Sequence, residues 1–166
     1  IWSAGTTQAR LLTFLWAAIR KRPDVVGGFH LILNGITAAI VGRLAGARSM
    51  YFCVGGPAEI QDGGVHSEDN PFAKMETVDG VVETRLLTIV SNFDTIITMG
   101  TRAVTSFRDR GIDTNFHVVS GGIDSQRFHA GEGTRSIDLI LTGRLVPIKR
   151  MDIFLEAVRR MSDRLP

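Results

Sequence analysis

The chain has 166 residues, enough for one domain of ordinary size with a substantial core. Apolar residues make up 44% and charged residues 22%, with 19 Lys and Arg against 17 Asp and Glu. This composition excludes a disordered, collagen-like or coiled-coil chain. The net charge of +2 is too small a basic excess to argue for nucleic acid, and one cysteine, Cys53, excludes a disulfide scaffold and fits a reducing compartment.

From Gln8 to Arg22 the apolar residues Leu11, Leu12, Leu15, Ala18 and Ile19 fall on one helical face, with Arg20, Lys21 and Arg22 in the last turn and Pro23 as the stop. Its apolar stretch is well short of the roughly 18–20 residues that cross a bilayer. With Arg10 as the one cation ahead of it, it does not read as a signal peptide either. Val25 to Phe29 reads as a buried strand. Ile36 to Leu44 is a helix with Ile36, Ile40, Val41 and Leu44 clustered and Gly46 beyond its end. Ser49 to Val54 is a strand too uniformly apolar to face solvent.

Gly55 to Lys74 is a long polar loop, and such loops inside a domain tend to be functional or mobile. Helical spacing returns from Val81 to Val90, and Thr95 to Met99 is a strand. Thr101 is placed to cap a helix that carries Val104 and Phe107 and stops at Gly111. Phe116 to Val119 is a brief strand. Residues 124–136 lack periodicity and read as a linker. Ile137 to Leu141 is a further strand, and Met151 to Met161 an amphipathic helix with Ile153, Phe154, Ala157, Val158 and Met161. Strands alternating with helices predict an α/β chain, a parallel sheet with helices covering both faces.

Ligands of open parallel sheets bind outside the carboxyl ends of the strands, so the loops that follow strands are the candidate sites. After the second strand, Gly55 and Gly56 allow close backbone approach, and Pro57 can open a helical turn whose N–H groups face an anion. Glu59 is placed to bond a hydroxyl or move a proton, or else to sit solvated at the helix start of a plain tight turn. His30 ends the first strand at the same edge. Gly143 to Arg150 (GRLVPIKR) sets Arg144, Lys149 and Arg150 between a strand and a helix, as a phosphate clamp or as a solvated basic loop.

Other features carry less. No G-x-G-x-x-G follows a strand, and no Walker A sequence occurs. His30, His66, His117 and His129 lack the paired spacing of metal ligands, so no metal is expected. His66 reads as a solvated loop residue, His117 as a satisfied structural one and Cys53 as inert core. Trp2, Trp16 and Tyr51 form no stacking ladder for single strands.

SGGIDSQRF resembles the "PNGVD…RF" stretch that closes the first Rossmann-like domain of GT-B glycosyltransferases, particularly glycosyltransferase family 4. LILTGRLVPIKRMDIFLEAVRRM is similar to the opening of that family's second domain. RPDVVGGFHLILNG, RLAGARSMYFCVGGPAE and SNFDTIITMGTRA fit its first domain in the same order. The most specific part is GRL-x3-K after a strand.

The resemblance implies an incomplete acceptor-side Rossmann-like domain over residues 1–123, a linker over 124–136, and the start of a nucleotide-sugar-binding domain over 137–166. It implies retaining transfer of a sugar from a nucleotide-diphosphate donor to a glycan or lipid-linked acceptor, with no further cofactor. Arg144 and Lys149 fall on the donor diphosphate beside Gly143; His30, Gly55, Gly56 and Glu59 fall on the acceptor side. Gly122 and Asp124 mark the hinge. Arg150 departs from the pattern, since many members carry glycine there.

The same resemblance sets the family's first strand and glycine-rich loop before Ile1, and its paired-glutamate E-x7-E motif after Pro166. The chain is therefore expected to be a piece of a longer cytoplasmic enzyme, inactive alone. The literal E-x7-E at Glu68 and Glu76 lies in the wrong domain and is taken as coincidence. Lipid-linked acceptors would bring peripheral contact with the inner face of a membrane, although no segment of the chain calls for it. The competing functions are a non-catalytic nucleotide- or sugar-binding module and a nucleotide-sugar epimerase.

Overall fold

A computed structural model describes residues 4–65, 79–129, 131, 133, 137, 139–146 and 149–162. The chain divides into two compact units, Ile1–Gly122 and Ile123–Pro166. The first unit is an α/β layer structure. Helix α1 (Ala4–Lys21) leads into strand β1 (Val25–Phe29), and α2 (Ile36–Ala45) connects it to β2 (Arg48–Cys53). Two short 3-10 turns, Gly56–Glu59 and Gln61–Gly64, follow. Then come α3 (Gly80–Val90), β3 (Thr95–Thr98), α4 (Thr101–Arg108) and β4 (Asn115–Val118).

The four strands are parallel and lie in chain order, β1-β2-β3-β4, with Gly28 opposite Tyr51, Tyr51 opposite Ile96, and Ile96 opposite Phe116. Sequential order with crossovers of one hand puts successive connecting helices on one face. The packing agrees. Val26 on β1 joins Ala38 and Val41 of α2, while Tyr51 and Ile96 join Leu86 and Val90 of α3 and Phe107 of α4. The chain is thus α/β with a parallel sheet flanked by helices, a Rossmann-like arrangement. Among the described residues the second face, with Val25, Phe29, Met50, Phe52 and Ile97, is exposed or half-buried, and Phe29 stacks on Phe52 at 4.5 Å.

Polar side chains tie the amino ends of the strands together. Asp94, just before β3, accepts from the Ser49 amide at 2.7 Å and the Ser49 hydroxyl at 2.9 Å, and those bonds hold its carboxyl below the usual range. Thr114, just before β4, donates to the Phe93 carbonyl at 2.8 Å.

The helices form where their periodicity predicts, but several bury a different stripe. Among the described side chains of α1 only Ala18 is buried, and Leu12, Trp16 and Ile19 are exposed, because the helix meets α2 and β1 through Ala18 and the half-buried Leu15. In α2 the buried residues are Ala38, Val41 and Gly42, and Ile40 and Leu44 face outward. Gly46 closes this helix in the left-handed conformation, as its position predicts. Helix α3 starts on Asp79, whose carboxylate accepts from the Val81 and Val82 amides at 2.9 and 3.1 Å. Thr101 is the first helical residue of α4 rather than its cap; Gly100 precedes it without a side-chain bond.

In the second unit Asp124 opens a tight turn, accepting from the Gln126 and Arg127 amides at 3.0 and 3.2 Å. The strand expected over residues 137–141 is corrected: residues 137 and 139–141 are not in a strand. A strand needs a paired neighbour, and the second unit has no strand among its described residues. Helix α5 (Met151–Ser162) forms as predicted, with Phe154 and Val158 half-buried and Ile153 and Met161 exposed. Among the described residues no helix is long and apolar enough to cross a membrane.

One glycine decides how the β1–α2 connection lies. A Cβ on Gly28 would stand 2.4 Å from the Asn34 carbonyl oxygen, so the chain can fold back on β1 only where no side chain exists. Gly28→Ala is expected to destabilise the chain by about 1–3 kcal/mol, the range for overpacking a filled site. Urea denaturation of wild type and variant measures it.

Candidate functional site

The carboxyl edge of β1 and β2 gathers His30, Gly55, Gly56 and Glu59 around one group, the Glu59 carboxylate. Glu59 ends the first 3-10 turn and is 2% exposed. Its Oε1 accepts from the Gly55 amide at 2.5 Å and the His30 Nδ1–H at 3.2 Å. Its Oε2 accepts from the Leu31 amide at 2.7 Å and the Tyr51 hydroxyl at 2.8 Å. Four donors occupy the roughly four acceptor positions of a carboxylate. An ionised carboxylate only accepts, so in that state the His30 ring faces it with an Nδ1–H.

The placement of Glu59 as a solvated residue at a helix start is thus corrected. Ile60, next in the chain, is core, and drags the carboxylate inward, where burial is tolerable because every lone pair is matched. The turn offers no anion site through Gly55, whose amide is turned onto Glu59. Gly55 is required there: a Cβ would lie 2.9 Å from both Cγ and Oε1 of Glu59. Gly56 opens the turn at φ +68, with nothing within 4 Å of where its Cβ would stand.

His30 occupies φ 60, ψ 148, a region that is essentially glycine's. Its flanks hold it. The His30 amide bonds the Phe52 carbonyl at 3.1 Å, the Gly35 amide bonds the His30 carbonyl at 2.9 Å, and Leu31 behind it is fully buried. Leu33, at φ 69, continues the strained connection. The His30 side chain keeps 29% exposure at the sheet edge while its carboxylate partner is enclosed.

Sequence reasoning did not connect Tyr51 or the Leu31 amide to this site. The signal for Tyr51 was present, since a lone tyrosine in an apolar strand must find a partner for its hydroxyl. Beside it Cys53 is 1% exposed, and burial pushes its thiol up to about 12, as expected of inert core. Burial likewise pushes the Tyr51 hydroxyl up, with Cys53 and Glu59 adding to the effect. His117 lies exposed on β4 and His129 is exposed in the second unit; His66, Glu68 and Glu76 fall outside the described residues. Among the described residues no cluster of His, Cys, Asp and Glu is placed to hold a metal ion.

The basic loop belongs to the second unit and is described by itself. Gly143, Arg144, Lys149 and Arg150 are all exposed. The Val146 amide bonds the Arg144 carbonyl at 2.9 Å, and the Lys149 amide bonds the Val146 carbonyl at 3.0 Å, which curls the loop ahead of α5. A Cβ on Gly143 would meet Met151 Cε at 3.2 Å and Lys149 Cγ at 4.0 Å, so the lysine stem runs beside this glycine. Arg150 turns to Asp152 at 3.4 Å, an exposed pair whose bonds hold the Asp152 carboxyl below its usual range.

Two outcomes test the buried cluster. In Glu59→Gln one oxygen becomes an NH2 group that faces an amide donor. This leaves a buried N–H unmatched, and the expected loss of stability is about 1–3 kcal/mol in urea unfolding. Tyr51 and Cys53 are neutral when protonated, and burial favours that form. Their contribution is whole below their unfolded-state values, about 10 and 8.5, and is lost as pH rises above them. The urea midpoint is expected to hold level from pH 7 to 8 and to fall steeply above pH 9–10. No protein-family model, no curated protein and no solved structure matches the chain.

Proposed function

We propose that the chain carries the acceptor-side domain and the opening of the nucleotide-sugar domain of a retaining, GT-B-type glycosyltransferase. The observation that carries this reading is the exposure of Gly143, Arg144 and Lys149, ahead of a helix of twelve residues. Support also comes from the ordered series of sequence resemblances, and from a parallel sheet whose carboxyl edge collects His30 and Glu59. The donor is a nucleotide-diphosphate sugar and the acceptor a hydroxyl of a glycan or a lipid-linked glycan.

The chemical demand is a leaving group that gathers negative charge while the sugar carbon gathers positive charge. Fixed cations at the diphosphate lower that barrier, because they meet charge that is larger in the transition state than in the bound donor. Arg144 supplies a planar fork for two phosphate oxygens and Lys149 a mobile point charge. Arg150 is engaged with Asp152 and is assigned no part in the clamp.

In the enzyme that contains these residues, Arg144→Ala and Lys149→Ala are each expected to lower kcat by about 10²–10³, or about 2.7–4 kcal/mol, as for one lost oxyanion-hole donor. The assay follows radiolabelled sugar from a panel of UDP-, GDP-, ADP- and dTDP-hexoses, with and without added acceptor. Near-normal turnover in both variants removes the clamp. Conversion of the donor sugar without acceptor points to an epimerase, and donor binding without conversion to a binding module.

A further inference from the structure

We infer that the outer side of α1 and α2 is a docking surface for an anionic lipid bilayer, with α1 lying in the headgroup region. The inference does not depend on the transferase reading, and its grounds lie in the first unit alone.

The first ground is apolar exposure. Helices α1 and α2 pack on one another and on β1 through Leu15, Ala18, Ala38 and Val41. Outside that contact stand Leu12, Trp16 and Ile19 of α1 and Ile40 and Leu44 of α2, each more than half exposed. Spacings of three and four residues set each group in one stripe along its helix. Leu12, Ile19, Ile40 and Leu44 read as core from periodicity, so no segment of the sequence signals this surface. Large exposed apolar patches mark contacts with membranes or proteins.

Charge is the second ground, and it selects the lipid. The net charge of +2 conceals an uneven distribution: ahead of Glu59, Arg10, Arg20, Lys21, Arg22, Arg43 and Arg48 stand against one acid, Asp24. Arg20 and Lys21 lie in the last turn of α1 and Arg43 in the last turn of α2. Arg22, Arg48 and Asp24 line one hollow with Ala45 and Gly46, so the basic ends of the two helices meet at the amino edge of the sheet. A rim of nearly one sign complements a surface of uniform negative charge.

The third ground is Trp16 itself. The Arg20 guanidinium stands 5.4 Å from the centre of its ring. An amphipathic ring beside a cation suits the boundary where hydrocarbon gives way to phosphate. An apolar stripe, a tryptophan and basic residues together are the composition of a helix that lies in a bilayer interface. Cations draw the chain to the surface within a Debye length, and the apolar side chains then sink below the phosphates.

The test sediments the 166-residue chain with vesicles of phosphatidylcholine, alone or with about one-third phosphatidylglycerol. Binding is expected to the anionic vesicles at about 0.1 M salt, and at least tenfold less at about 1 M, where the Debye length has shortened from about 10 to about 3 Å. Arg20→Gln with Lys21→Gln and Arg22→Gln is expected to weaken binding about a hundredfold, at about fivefold per cation. In Trp2→Phe, Trp16 is the sole tryptophan, and its emission is expected to move to the blue on the anionic vesicles. No binding to those vesicles, equal binding to both kinds, unchanged binding in the triple variant or an unmoved Trp16 emission overturns the inference. The wild-type arms decide it even if a variant does not fold. A dimer in sedimentation velocity that Leu12→Glu with Leu44→Glu dissolves, without vesicle binding, assigns the face to a second copy of the chain and overturns it as well.

Discussion

Four donors converge on one buried carboxylate, and the ligand edge of the sheet is built around that convergence. The donors come from the β1–α2 connection, from the middle of β2 and from the turn that follows it, so Glu59 fastens three stretches of chain, the first two of which are also joined by the His30 amide and the Phe52 carbonyl. Hydrogen bonds to a charged group contribute about 1.5–3 kcal/mol each, which offsets the several kcal/mol needed to bring an ion out of water only when all are made together. Leu31 and Ile60, each one residue beyond a member of the cluster, root it in the core. The strain at His30 is sustained by this framework together with the bonds of its own amide and carbonyl.

The course of the chain was legible in the sequence to within a few residues at nearly every element of the first unit. Apolar periodicity, Pro23, Gly46 and Gly111 are local signals, and they act locally in the fold. Which stripe of a helix is buried was less legible, because it depends on what lies opposite. Ala18, Ala38 and Val41 are buried since small side chains let α1 and α2 approach β1, and the larger Leu12, Ile40 and Leu44 are left outside. The strand read over residues 137–141 shows the same limit, as an apolar run becomes a strand only beside a partner.

Glu59 illustrates a different gap. A glutamate after two glycines reads as a surface residue because lone carboxylates are seldom buried. Its burial depends on Tyr51 and on amides of Leu31 and Gly55, and only the fold assembles those donors. The positions of His30 and Glu59 at one sheet edge were legible, whereas their bond and the enclosure of the acid were not. Arg144 and Lys149 are the opposite case: the sequence sets them in a loop ahead of a helix, and both are exposed there.

The strand order has a consequence for how the first unit assembles. Every parallel pairing joins consecutive strands, so the sheet can grow outward from any adjacent pair without waiting for a distant segment to thread between them. The widest closure runs from Cys53 to Thr95, and closure entropy rises only slowly with length. Such a layout permits stepwise gain of structure, in which β1-α2-β2 and β3-α4-β4 form early as separate local units and their docking through Tyr51 and Ile96 completes the core.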